Sequence, residues 1–208
     1  LGSRNHMPPE EKYRADAALL RRGLVEEPDN TRYQFYLAQS LRDAGDLAES
    51  ETEYVKRVNM GGWDQEVFYS LLQVAMLKER QQAPEGHVVA AYLNAYQYRP
   101  TRAEPVCELA RFYREREQYV LARMFAREAT MITQTDDILF VDAAVYDWKA
   151  RDELATASYW CGDLETSKRM CQELLNSPGL PAEQRSRIQI NLAYVLDSED
   201  QNVVSSTA

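Results

Sequence analysis

The chain has 208 residues, 45% of them hydrophobic, with 24 Lys and Arg against 33 Asp and Glu for a net charge of −9. That acidic balance excludes non-specific nucleic-acid binding, which depends on neutralising phosphates with Lys and Arg. No run of about 18 apolar residues occurs, which excludes a membrane-spanning helix, and the eight glycines and eight prolines favour a mainly helical chain. The three cysteines Cys107, Cys161 and Cys171 are odd in number and lack paired spacing. They read as buried thiols of a reducing, cytoplasmic compartment.

In chain order, residues 1–7, Leu1-Gly2-Ser3-Arg4-Asn5-His6-Met7, read as a cleaved tag remnant ending in a cloning-site methionine, so His6 is set aside as a ligand. Residues 8–31 are expected to form a partial repeat or a lone capping helix, because Leu20, Gly23, Leu24 and Pro28 match the second helix of a helix pair. A pairing of Leu with a small or apolar neighbour then recurs as Leu37-Ala38, Leu71-Leu72, Leu109-Ala110 and Leu154-Ala155, at spacings of 34, 38 and 45 residues. A unit of 34 with insertions of 4 and 11 accounts for the series, and Pro28 to Pro100, 72 residues apart, carries the same insertion of 4. The first insertion is expected in the turn at residues 79–86.

Gly45 and Gly162, each followed by Asp, fall where helix-pair turns want positive φ. Phe140, Val141, Ala144, Val145, Trp148, Leu154, Ala155 and Tyr159 fall on one apolar stripe, which predicts an unusually long helix opening the fourth unit. Asp136 or Asp137 is expected to cap that helix before Ile138. The array is expected to span residues 32–181. A capping helix at 182–197 presents Ile188, Leu192 and Val195 on one face, and 198–208 is expected to be a flexible tail.

On the tetratricopeptide template W-x2-L-G-x2-Y…A-x3-F…P, the units read Gln34-x2-Leu37-Ala38-x2-Leu41 with Ser50-x3-Tyr54, Phe68-x2-Leu71-Leu72 with Val88-x3-Tyr92, and Leu109-Ala110-x2-Tyr113 with Ala122 and Ala126. The chain thus resembles a tetratricopeptide-repeat protein. That resemblance implies an all-α, right-handed helical solenoid of about four repeats plus capping helices. A second resemblance rests on Tyr98-Arg99-Pro100-Thr101-Arg102-Ala103-Glu104-Pro105 with Leu109-Ala110-Arg111-Phe112-Tyr113-Arg114. It is shared by Asp136-Asp137-Ile138-Leu139-Phe140-Val141, Val145-Tyr146-Asp147-Trp148-Lys149 and Asp152-Glu153-Leu154. These blocks are similar to the tetratricopeptide region attached to family-2 glycosyltransferases, which implies a sugar transferase in a parent chain. The family's catalytic Asp-x-Asp has no counterpart in this sequence.

Chemistry of the chain's own is not expected. His87 lies in the inserted turn away from any nucleophile, and no glycine-rich phosphate loop, Cys/His metal spacing or Gly-x-Ser-x-Gly occurs. No cofactor is called for. The expected role is holding a ligand, with Arg32, Phe35, Gln39, Arg42, Tyr69, Gln73, Arg111 and Arg114 lining a concave groove beside Glu66, Met76, Glu104 and Cys107. Tyr69, Gln73, Arg111 and Arg114 are expected to make one patch. Against the groove role stands pairing of the central arginines with Glu104, Glu108, Glu115, Glu117 and Glu128 at three- and four-residue spacing.

Three readings stay open. The module positions an acceptor protein or glycan, or docks the parent's catalytic domain. It is a general adaptor that grips a peptide. Or it is an oligomerisation domain. Chaperone-type carboxylate clamping is disfavoured, because Phe35 and Tyr69 stand where Lys is wanted and Gln39 and Gln73 where Asn is wanted.

Overall fold

The computed structural model describes residues 8–206, and the tag-like Leu1 to Met7 lie outside the described residues. Ten α-helices and no strand occur among the described residues: α1 (Pro9–Glu26), α2 (Thr31–Asp43), α3 (Leu47–Met60), α4 (Asp64–Arg80), α5 (Glu85–Tyr98), α6 (Glu104–Arg114), α7 (Tyr119–Met131), α8 (Ala150–Trp160), α9 (Leu164–Asn176) and α10 (Ala182–Ser206). A π-helical stretch, Val145–Lys149, leads into α8. The helices form two compact units, Leu1–Arg99 with α1 to α5 and Pro100–Ala208 with α6 to α10. Within each unit every helix packs against the next in sequence, which makes the chain an all-α protein of the helical-repeat type.

Four turns between paired helices share one hydrogen-bond pattern. The amide of Asp46 donates to the Leu41 carbonyl (2.9 Å), Ala83 to Lys78 (3.0 Å), Gln118 to Tyr113 (2.9 Å) and Asp163 to Ser158 (2.9 Å). One residue earlier, Gly45, Gln82, Glu117 and Gly162 each have positive φ and donate to the carbonyl three residues back. These are Schellman ends, which satisfy the last carbonyls of a helix through one left-handed residue. Gly45 and Gly162 are where the sequence places them. Gln82 and Glu117 do the same job without glycine.

These left-handed residues fix the repeat register, and they correct it in the second unit. Counting back eight residues from each gives Leu37-Ala38, Val74-Ala75, Leu109-Ala110 and Leu154-Ala155, at spacings of 37, 35 and 45. Ala38, Ala75 and Ala110 are 0% exposed and Ala155 1%, because the paired helices approach most closely there. Leu71-Leu72 is one helical turn out of register. The residues expected to swell the turn at 79–86 instead lengthen α4, which has 17 residues against 13 in α2.

The core of the first unit gathers Ala17, Leu37 and Leu41 with Leu20 and Leu24 of α1 and α2. That of the second joins Ala110, Ala126, Leu154, Met170, Leu174 and Ile188 across α6 to α10. Burying one such Leu or Met side chain contributes roughly 1.5–3 kcal/mol. Charged side chains are buried too, and each is paired. Arg57 at the end of α3 is fully buried against Glu66 (3.0 Å), and Arg102, ahead of α6, against Glu104 (2.6 Å) and Asp137 (3.2 Å).

Arg102 explains why the expected long helix does not start near Ile138. Its guanidinium donates to the carbonyls of Leu139 (3.4 Å) and Phe140 (3.2 Å) as well as to Asp137. Backbone carbonyls so occupied are held outside a helix, and Phe140 takes φ 45°. Asp137 is therefore an ion-pair partner rather than a helix cap, and Asp136 is exposed in the same irregular segment. The cap is Asp142, whose carboxylate accepts from the Ala144 amide (3.1 Å). At the other end α10 runs through Ser206 rather than stopping at Asp197. Lys168 of α9 pairs with Glu199 (2.7 Å) beyond that expected stop, inside the stretch read as a flexible tail.

Candidate functional site

In the first unit the expected groove residues are locked to one another. Arg42 on α2 donates to the Tyr69 hydroxyl (3.0 Å) and the Gln73 side-chain carbonyl (2.9 Å) on α4, and also to Asp43 (2.8 Å). Burial opposes its charge, but Tyr54, Asp43 and Tyr69 outweigh burial and raise its pKa. Arg32 is exposed and pairs with the buried Glu66 (2.7 Å). Gln39 is half-buried. Phe35 is not a lining residue, being buried with its ring 5.9 Å from Tyr69 and 6.2 Å from Tyr54. Gln73 is buried as well. Phe35 packs against both α3 and α4, and Gln73 accepts from Arg42 of α2.

The second unit holds an open cleft of about 530 Å³ between α6, α8 and α10. Cys107, Glu108, Arg111 and Arg114 come from α6, Trp148 and Lys149 from the π-helical stretch, Asp152, Glu153 and Thr156 from α8, and Arg187 and Asn191 from α10. Its charges alternate and are paired. Arg111 bonds Glu108 (2.7 Å) and Glu115 (2.9 Å), Arg114 reaches across to Glu153 (2.6 Å), Lys149 bonds Asp142 (2.6 Å), and Arg187 bonds Asp152 (2.8 Å). The three- and four-residue pairing weighed for the central arginines thus holds for Arg111. Arg114 pairs with a glutamate 39 residues away. Burial raises the Glu153 pKa despite Arg114. At the floor, burial pushes the Cys107 thiol far above its ordinary range, with Glu108 and Glu153 adding to the shift.

Tyr69 and Gln73 belong to the first unit, and Arg111 and Arg114 to the second. Lining residues outside the expected groove include Trp148, Lys149, Asp152, Glu153, Arg187 and Asn191. Those on the π-helical stretch and α8 follow the 45-residue spacing that obscures the register there, and Arg187 and Asn191 belong to α10, which was expected only to cap the array.

A larger cleft, about 1330 Å³, opens on the other side of α8, between α7 and α9. Arg123, Arg127, Arg151 and Arg169 stand around it, with Val120, Met124 and Met131 exposed on α7. No group of three His, Cys, Asp or Glu able to hold a metal ion occurs among the described residues. His87 is exposed in the first turn of α5. No helix among the described residues is long and apolar enough to cross a membrane.

No protein-family model matches the sequence, and no curated protein matches it. Among solved structures the chain is similar to the crystal structure of BtubC (BKLC) from P. vanneervenii. The TM-score is 0.64 at 14% identity, over 92% of this chain and 83% of that one. What the two share is a helical fold.

Proposed function

We propose that the chain is a non-catalytic, tetratricopeptide-type binding module that holds an extended polar ligand in the α6–α8–α10 cleft. The recurring helix pair, its Leu-small register and its common Schellman turn support the tetratricopeptide reading. A sugar-transferase parent chain rests on the sequence blocks around Arg102 and Asp147. In that setting the ligand is the acceptor, a peptide or glycan.

The observation that carries the reading is the lining of the cleft. Trp148 offers an aromatic face, Asn191 an amide, and the ion pairs of Arg111, Arg114 and Arg187 present donors and acceptors already fixed in place. A ligand with its own hydroxyls or backbone amides exchanges water for these groups without bringing net charge. Peptide and glycan arrays probed with wild type and with Arg111→Ala/Arg187→Ala test this. At least one ligand class is expected to lose binding by about tenfold or more in the variant, roughly 1.4 kcal/mol. Identical array profiles would remove the cleft from the account. Turnover of a nucleotide sugar by purified chain, lost on Asp136→Asn, would overturn the non-catalytic reading.

A further inference from the structure

Besides the face that lines the cleft, α10 carries a second face that is open. Leu192-Ala193 is a fifth pair of a branched apolar residue with Ala, 38 residues after Leu154-Ala155, and α10 packs on α9 and α8 as the opening helix of a repeat. In the first and third repeats neighbouring helices bury this face, Phe35 lying against Tyr54 of α3 and Tyr69 of α4 and Tyr113 stacking on Phe125 of α7. The small residue there is at most 1% exposed, and the positions two before and four after the Leu hold buried Phe35 and Leu41 in the first repeat and Cys107 and Tyr113 in the third. On α10 the equivalent residues are open: Ile190 is 56% exposed, Leu196 40%, and Ala193 is exposed between them. Eight residues past the Leu, where the other repeats turn, Asp200 is still helical.

Charge says what kind of helix fits. The arginines of α10 are turned back into their own unit, Arg185 onto the Leu175 carbonyl (2.7 Å) and Arg187 onto Asp152 (2.8 Å). Glu183, Asp197 and Asp200 flank the open apolar stripe and make no ion pair among the described residues. A second α10 laid on this face would set carboxylates against carboxylates in a chain already at −9. We infer that the open face of α10 is a docking site for a basic amphipathic helix of a partner protein. That helix completes a fifth repeat in trans, with small and apolar residues on Ile190, Ala193 and Leu196 and Lys or Arg opposite Asp197 and Asp200.

The chain supplies a probe of the required kind, a peptide of residues 118–132 spanning α7, its own most basic covering helix, with Arg123 and Arg127 beside Ala122 and Ala126. Fluorescence anisotropy with this labelled peptide is expected to show saturable binding to the full chain below about 1 mM. Ala193→Arg and, separately, Ile190→Asp each weaken it by at least about tenfold. Both sites are exposed, so unchanged circular dichroism and melting verify the fold. A peptide carrying Arg123→Glu and Arg127→Glu binds wild type more weakly and regains affinity for Asp197→Lys/Asp200→Lys. Absence of binding at about 1 mM, equal affinity for wild type and Ile190→Asp, or indifference to charge reversal overturns the proposal. So does a concentration-dependent dimer of wild type that Ala193→Arg abolishes, since that assigns the face to a second copy.

Discussion

Glu117 sits at a left-handed position for which two of the four equivalent turns use glycine. A side chain there costs about 1–2 kcal/mol, and glycine gives back roughly half of that gain through unfolded-state entropy. Glu117→Gly is therefore expected to stabilise the protein by about 0.5–1 kcal/mol in urea unfolding, and Gly162→Ala to destabilise it. A lower midpoint for Glu117→Gly would show that the Glu117 backbone is not strained. The sequence reading found the two glycine turns because glycine signals positive φ. Gln82 and Glu117 take the same left-handed conformation without that signal. The thiols divide in a similar way: burial pushes Cys107 far up and Cys171 up to about 11, while Cys161 is half-buried in a turn. Disulfide-exchange labelling at pH 8 is expected to modify Cys161 first, and equal rates for all three would contradict the burial. Glu153 bears on pH. Its folded pKa lies above the ordinary 4.5, so the stability it contributes is complete below that value and is lost as pH rises through the folded pKa. A carboxyl NMR titration of Glu153 with a midpoint at or below 4.5 would contradict this.

Elements were legible wherever apolar periodicity and local punctuation agree, as in α2, α6, α7 and α9. They were misread where a distant partner decides. The stripe from Phe140 to Tyr159 is periodic, yet its first residues are taken by Arg102, more than 35 residues earlier. No local pattern announces that contact. Removing it leaves Glu104 and Asp137 buried without their cation, so Arg102→Ala is expected to cost about 3–5 kcal/mol and to make the 132–142 segment the first site of proteolysis. A variant that melts like wild type would mean the segment is held by other contacts, with Tyr146 onto Glu104 (3.0 Å) the first to consider. The register slip in α4 has a different origin. Leu71-Leu72 and Val74-Ala75 are both apolar pairs one turn apart, and only burial separates them. Ala75→Leu should overpack its helix pair by about 1–3 kcal/mol, as Ala110→Leu should, and a tolerated Ala75→Leu would restore the register read from Leu71.

At the scale of the whole molecule, the following ion pairs tie separate segments together within one unit. Arg14–Asp46, Arg32–Glu66, Lys78–Glu51 and Arg99–Asp64 lie within Leu1–Arg99. Arg102–Asp137, Arg114–Glu153, Arg123–Asp163 and Arg187–Asp152 lie within Pro100–Ala208. The exposed pairs among these contribute little individually. Their placement has the larger consequence, because the buried Arg57 and Arg102 each find carboxylate partners inside their own unit. In repeat proteins stability is close to a sum over units and their nearest-neighbour interfaces, so a unit with its own core and its own paired charges has what folding requires. Residues 100–208 alone are therefore expected to give a helical spectrum and one cooperative urea transition, with an m-value about half that of the full chain. Since every lining residue of the α6–α8–α10 cleft lies in that fragment, whatever ligand the arrays identify should bind the fragment and the full chain alike. A disordered fragment would mean that α6 to α10 need α1 to α5 to fold. A folded fragment that fails to bind would move the ligand onto residues before Pro100 and return Arg42, Tyr69 and Gln73 to the account.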